Sequence, residues 1–240
     1  MIAPVVAAAA LVRADAAVRA AAASWRRGPV PAAVARPALD EQLLELRLSD
    51  DRRLAAAVLA RLPRPLARDV GDDVAAHREL ARLTPPQPLS AFRVGDARPA
   101  AQLLAWYREA ERRSAVPWQV LAAVNFVESD FGRLRNDSVA GAQGPMQFIP
   151  STWRAYGRGD VHDPHEAILA AGRFLHAGGA SANLRGALFH YNPSPAYVDA
   201  ILRYAGRIRR DERTFRVYYS RQLIVRTPSG RRRLTSFGLR

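Results

Sequence analysis

The sequence contains no cysteine, which excludes a disulfide scaffold, a thiol nucleophile and any thiolate metal site. It contains no lysine either, so all 36 basic residues are arginine, set against only 22 acidic ones. No apolar run approaches the roughly 18 uninterrupted residues of a membrane-spanning helix, and no repeat of fixed period is present. What is there is a chain of 240 residues, 49% hydrophobic and 24% charged. That is enough for one substantial core or two small ones, and it excludes a mainly disordered chain.

The formal net charge of +14 is unevenly spread. Residues 1–100 carry 15 arginines against 11 acids, residues 101–200 carry nine against nine, and residues 201–240 carry 12 against two. A field of this sign selects anionic partners. Nucleic acid is the default reading of an arginine-rich tail, and an acidic polysaccharide or a membrane surface fits the charge equally well. Met1 to Val12 is apolar, with no basic residue ahead of it and Pro4 inside, and Ala14-Asp15-Ala16 has the small-residue character of a cleavage site. This segment reads either as an export leader or as an Ala-rich surface helix.

Punctuation divides the chain further. Residues 1–38, rich in Ala, Arg and Pro, read as a leader or flexible arm contributing little core. Residues 39–83 read as a helical N-terminal region, with Leu43 and Leu46 on one inward face, then Leu54, Val58, Leu59 and Leu62. Pro63 and Pro65 end that helix, and another follows Asp72, where the spacing of Val74, His77 and Ala81 makes His77 a core histidine. Residues 84–99 hold Pro85, Pro86, Pro88, Gly95 and Pro99 and read as a linker. Short helices fill 100–206: Pro117 opens one that Gly132 closes, and Asp163-Pro164-His165-Glu166 has the form of a capping box. In 207–240, Phe215, Val217 and Tyr219 alternate with polar neighbours and Thr227-Pro228-Ser229-Gly230 is a type I turn, which predicts a basic β-hairpin with its arginines facing out.

Candidate chemistry lies in the middle. Trp118, Leu121, Asn125 and Glu128 fall on one stripe of the helix opened by Pro117. Glu128 thus ends an apolar face near the negative end of a helix dipole, and both desolvation and that dipole raise its pKa. A carboxylic acid that keeps its proton near neutral pH suits general acid catalysis of glycoside cleavage. A surface glutamate closing the helix is the plainer reading of the same pattern. Gly141-Ala142-Gln143-Gly144-Pro145-Met146-Gln147-Phe148 lacks the lysine and spacing of a phosphate loop. Its glycines allow backbone to approach a ligand, and the Gln147 amide both donates and accepts, as sugar hydroxyls require. The same stretch also reads as a tight loop packed by Met146 and Phe148.

Three ordered segments carry a resemblance: Glu128-Ser129 at a helix end, Ser138 to Trp153 (SVAGAQGPMQFIPSTW), and Ala187 to Asn192 (ALFHYN). Over roughly residues 100–206 they resemble the lytic transglycosylases of bacterial cell walls. The resemblance implies a mainly α fold: a lysozyme-like helical catalytic domain, here with N-terminal helices and a small basic C-terminal β-hairpin. It implies that Glu128 acts as acid and then base, that Ser138, Gln147, Tyr191 and Asn192 line the sugar site, and that Ser129 and Met146 belong to the substrate-binding set. A two-carboxylate hydrolase would need Asp130 or Asp137 as partner. Asp130 lies about 200° around the helix from Glu128, and Asp137 sits in the loop. A muramidase using Asp137 to hold water, and a wall-binding protein with a degenerate site, are the rival readings.

The resemblance implies no cofactor. Some relatives carry an Asp-Gly repeat that can bind calcium, whereas Tyr156 to Asp163 here has too few oxygen ligands and places Arg158 among them. His162 and His165 have no third ligand of zinc spacing. The expected partners are peptidoglycan strands and, through the basic tail, anionic wall polymers. Nucleic acid is not expected, the chain is expected to be a monomer, and the location follows the substrate to outside the cytoplasmic membrane.

Overall fold

A computed structural model describes residues 2–234. The described chain is mostly helical, with eleven α-helices and one small sheet. Pro4–Ser24 forms α1, Ala32–Asp50 α2, Arg52–Leu59 α3 and Arg64–Leu83 α4. After a short 3-10 turn at Leu89–Ala91 come α5 (Ala100–Ser114), α6 (Trp118–Ser129), α7 (Pro150–Tyr156), α8 (Pro164–Ala177), α9 (Leu184–Tyr191), α10 (Pro195–Arg210) and α11 (Arg213–Ser220). The chain then turns into an antiparallel hairpin of β1 (Leu223–Thr227) and β2 (Gly230–Leu234), in which Thr227 pairs with Gly230 across the expected turn.

Helix starts follow local chemistry. The Asp51 side chain accepts from Leu54 N at 2.9 Å, Asp163 from Glu166 N at 3.0 Å, and Ser194 from Tyr197 N at 3.4 Å, each satisfying an orphan donor of a first turn. Helix α6 is buried continuously from Val120 to Asn125, the signature of a central helix rather than a surface one. Around it pack α5, α8, α10 and α11, and Leu103, Tyr107, Leu121, Met146, Ile168, Leu188, Tyr204 and Phe215 belong to the shared core.

The N-terminal residues depart from expectation. Val18, Ala22 and Trp25 of the segment read as a flexible arm enter the main core, while Ala7, Ala8 and Leu11 join Leu48, Val58, Leu66 and Val70 in a second cluster. Alanine-rich sequence reads as weakly hydrophobic, yet small side chains let α1 and α2 approach closely. Pro65 does not end a helix but sits in the first turn of α4, where its missing N–H costs nothing. His77 packs edge-on to Tyr204 at 6.3 Å, and burial, joined by the Arg221 charge, pushes its imidazole down to about 4.

The largest correction concerns α2. Leu43, expected inside, is exposed, and Glu41 and Glu45 are buried instead. They face Asp73 of α4 together with Arg207 of α10 and Arg221 beyond α11. Arg207 bonds Glu41 at 2.7 Å, Glu45 at 3.3 Å and Asp73, while Arg221 bonds Glu45 at 2.6 Å and Asp73 at 2.9 Å. Tyr218 donates to Asp73 at 2.6 Å. Three carboxylates share two guanidiniums, so one carboxylate must take a proton or remain uncompensated. Burial, reinforced by Asp73 and Glu41, outweighs Arg221 and raises Glu45 well above the usual range. Burial acts on Asp73 in the same direction, but Arg207, Arg221 and the Tyr218 hydroxyl outweigh it and hold that group low.

The tail is corrected too. Phe215, Val217 and Tyr219 lie on a helix, not a strand, and Arg207 and Arg221 face inward. Arg226 donates to Ala81 O at 2.6 Å and Arg231 pairs with Asp50, whereas Arg232 and Arg233 are exposed. The segment 84–99, read as a linker, is bound along its length. Gln87 N donates to Arg226 O at 3.1 Å, Gly95 N to Arg133 O at 2.9 Å, and Arg135 N to Arg93 O at 2.9 Å.

Candidate functional site

The last turn of α6 delivers Glu128. Asp130 and Phe131 then adopt left-handed backbone, with φ of 50° and 62°, and Gly132 follows at 83°, so the chain reverses sharply just past the carboxylate. Glu128 is partly exposed at its residue surface yet closely surrounded by protein. Burial raises its pKa from 4.5 to about 7, against the opposing hydrogen bond from Tyr197. That bond runs from the Tyr197 hydroxyl to Glu128 Oε1 at 2.6 Å. The two effects separate cleanly: desolvation favours the neutral acid, while the phenol stabilises the carboxylate.

The loop opposite is fixed through Pro145. Its carbonyl accepts from the Ser129 hydroxyl at 2.6 Å and from the Asn125 amide at 2.8 Å, and Asn125 in turn accepts from the Tyr107 hydroxyl at 2.5 Å. Ser129 also receives Gly132 N at 2.9 Å. Gln143 and Phe148 exchange backbone hydrogen bonds of 2.9 Å each, closing the loop base. At Gly144, φ is +72° and an added Cβ would lie 2.0 Å from Val161 O. Glycine is therefore required there by both conformation and space.

The structure separates the expected site residues into groups. Tyr191 donates from its hydroxyl to Met146 O at 2.6 Å. Burial, followed by the nearby Glu128 charge, pushes the Tyr191 phenol well up, so Glu128, Tyr191, Tyr197 and the Met146 carbonyl form one constellation. Gln147 is partly exposed, with φ of 50°, and its amide folds back to Gly144 O at 2.9 Å and Asn136 O at 3.2 Å. Ser138 is exposed at the base of the 138–142 turn, where its N–H donates to Ala142 O at 2.9 Å and its hydroxyl accepts from Ala142 N at 3.0 Å. Asn192 caps α9, and its N–H donates to Leu188 O. Among the described residues, no hydrogen bond joins the Ser138, Gln147 or Asn192 side chain to Glu128.

Ser129 and Met146, expected to touch substrate, are 0% exposed. The Ser129 hydroxyl is occupied by Pro145 and Gly132, so its place is that of a brace between α6 and the loop. Met146 offers the site its backbone carbonyl, and its side chain fills the core. Asp130 stands 3.5 Å from Arg133 rather than beside Glu128, and burial outweighs that arginine in raising its pKa. Asp137 is exposed. His165 bonds Glu109 at 2.9 Å and stacks on Trp106. Among the described residues, no group of three His, Asp or Glu is placed to hold a metal.

Tyr197 was missing from the sequence reading. The signal available was its place as the third residue of a Ser-Pro-capped helix whose next residue, Val198, points inward. A phenol beside an apolar stripe normally reads as core.

A family model described as the transglycosylase SLT domain matches residues 106–213. No curated protein and no solved structure matches the chain. The matched span, a little under half of the chain, takes in α6 with Glu128, the Gly144–Gln147 loop, and both Tyr191 and Tyr197, so the match supports a lytic transglycosylase-like function for this segment, with peptidoglycan as the implied substrate.

Proposed function

We propose that the protein cleaves the β-1,4 bond between N-acetylmuramic acid and N-acetylglucosamine without water, with Glu128 as its single acid and base. The observation that carries this reading is the Glu128 carboxyl, set partly exposed among protein groups with its pKa raised to about 7 and Tyr197 2.6 Å away. At neutral pH a group of that affinity is present in comparable amounts in both forms, the condition under which one residue serves as donor and then acceptor.

In the first step Glu128 donates its proton to the glycosidic oxygen as the C1–O bond breaks, and the substrate's own acetamido group stabilises the cationic sugar. The carboxylate left behind is charged in a poorly solvated place, and the Tyr197 hydroxyl supplies the compensating hydrogen bond. Glu128 next removes the proton of the muramyl 6-hydroxyl while O6 bonds to C1. The acid is regenerated and a 1,6-anhydro end results. With Asp130 beside Arg133 and Asp137 exposed, this scheme asks for no second carboxylate. Ser138, Gln147, Tyr191 and Asn192 would line the sugar site, with Ser129 and Met146 holding the loop behind them.

Residues 100–206 would be the catalytic segment, braced by the N-terminal helices. Exposed Arg232 and Arg233 of the hairpin would meet anionic wall polymers. Action on peptidoglycan implies an extracytoplasmic place, and no described helix is long and apolar enough to cross a membrane. The test is digestion of purified sacculi by the wild type and Glu128→Gln, with the products weighed by mass spectrometry. The proposal expects anhydro products, one water lighter than hydrolysed ends, from the wild type, and a loss of at least about a thousandfold in the variant. Hydrated ends would indicate a muramidase, and near-normal turnover by Glu128→Gln would remove Glu128 from the chemistry.

A further inference from the structure

Behind the loop that Gly144 and Pro145 form lies a cavity of about 210 Å³ that does not include Glu128. Phe131 and Pro145 belong to its apolar lining, while Arg98, Arg135, His162 and Asp96 supply polar groups. The volume is below the roughly 300 Å³ at which pockets begin to take drug-sized ligands, so it admits the end of a small molecule and not a sugar strand.

The polar side of this cavity carries two arginines against a single carboxylate, Asp96. Among the described residues, neither Arg98 nor Arg135 has a carboxylate within ion-pair distance. Arg135 is nevertheless held in place. Its guanidinium donates to Asp96 O at 2.9 Å and lies against Gly95, where any Cβ would come within 3.0 Å of Nε. The wall it rests on is fixed by the paired backbone of residues 93–95 and 133–135 and by Arg93 N donating to Asn136 Oδ1 at 2.8 Å. Two guanidiniums and one carboxylate leave a net positive charge over an apolar floor, the complement of an acid with a short apolar body. The planar donor fork of arginine matches a carboxylate.

We propose that this cavity binds the free carboxyl end of a short peptide, with Arg98 and Arg135 on the carboxylate and the aliphatic side chain on Phe131 and Pro145. The peptide's source, the stem peptides of peptidoglycan, rests on the function proposed above; the binding chemistry does not. A bound peptide end would contact Gly144 and Pro145 and so brace the loop that carries Gln147.

The experiment titrates acetyl-D-alanyl-D-alanine, its C-terminal amide and inorganic phosphate into the full-length protein, followed by NMR shifts and calorimetry. The acid is expected to saturate and to bind at least about fivefold more tightly than the amide, with Arg98→Gln removing most of that difference. Arg98 makes no side-chain hydrogen bond among the described residues, so this variant keeps the fold even where Arg135→Gln does not. Equal binding of acid and amide, absence of saturation, or phosphate binding as tight as the acid would each overturn the proposal. No turnover is needed for the readout. A protein that binds the acid but releases no anhydro product refutes the proposed reaction alone, and one that cleaves sacculi but ignores the acid refutes this site alone.

Discussion

Replacing Tyr197 by Phe removes one hydroxyl and leaves the buried ring in place. That hydroxyl donates to Glu128 Oε1 at 2.6 Å and is the one interaction opposing the desolvation that lifts Glu128 to about 7. A hydrogen bond to a charged acceptor contributes about 1.5 to 3 kcal/mol. Because Glu128 is partly exposed, the lower value applies, and at 1.36 kcal/mol per pH unit it corresponds to a rise of about one unit in the pKa of the acid. The sign is fixed: losing a donor that prefers the carboxylate makes the proton harder to remove. The alkaline limb of kcat/KM, which reports loss of the protonated acid, should therefore move up by about one pH unit. The rate near neutral pH should fall roughly tenfold, because the carboxylate formed in the first step is less well stabilised. The assay is release of soluble muropeptides from sacculi across pH 5 to 10, with denaturation curves confirming that the fold is retained. An alkaline limb that stays in place, or moves to lower pH, would refute the assigned role of the phenol.

Three further outcomes follow from the geometry. Gly144→Ala should lose about 2 kcal/mol or more of stability and most activity, since it combines a left-handed φ with a Cβ 2.0 Å from Val161 O; a variant that melts and turns over like the wild type would contradict this. Arg207→Met leaves Glu41, Glu45 and Asp73 with Arg221 alone, and should cost about 3 to 5 kcal/mol at pH 7 by urea denaturation. The deficit should shrink as pH falls, where Glu45, whose pKa burial already raises, takes up a proton in the folded variant, so a deficit independent of pH would refute the assigned charge balance. Glu128→Gln should match wild-type stability below pH 4.5 and exceed it above pH 7 by up to about 3 kcal/mol. The folded wild type binds this proton more tightly than the unfolded chain, so its stability declines between 4.5 and about 7, and a flat difference across that window would contradict the shift.

Local signals in the sequence were enough for much of the catalytic segment. Pro117, the apolar stripe through Asn125 and the glycine beyond it define α6 and place Glu128 at its end, and Asp163-Pro164 opens α8 with the Asp163 side chain capping Glu166 N, although Asp163 N donates to Asp160 O and so the reciprocal half of a capping box is missing. The hairpin turn at Thr227–Gly230 was equally plain. What failed depended on partners far away in the chain. Phe215, Val217 and Tyr219 alternate as a strand would, yet Tyr218 between them is fully buried, bonded to Asp73 and stacked on Phe126, so aromatic residues cover the helix on more than one side. Glu41 and Glu45 read as solvent-facing because a buried carboxylate makes sense only once Arg207 and Arg221, more than 160 residues later, are known to meet it. Ser129 belongs to the motif but works from behind the loop, a distinction that composition does not carry.

The central claim is that Glu128 holds its proton near neutral pH in the resting protein. Selective 13C labelling of glutamate side chains, with Glu128→Gln to assign the resonance, measures that titration directly by NMR. The account predicts a carboxyl midpoint about 7 for Glu128 in the wild type, moving higher in Tyr197→Phe. A midpoint near 4.5, the value of a solvated glutamate, would contradict it.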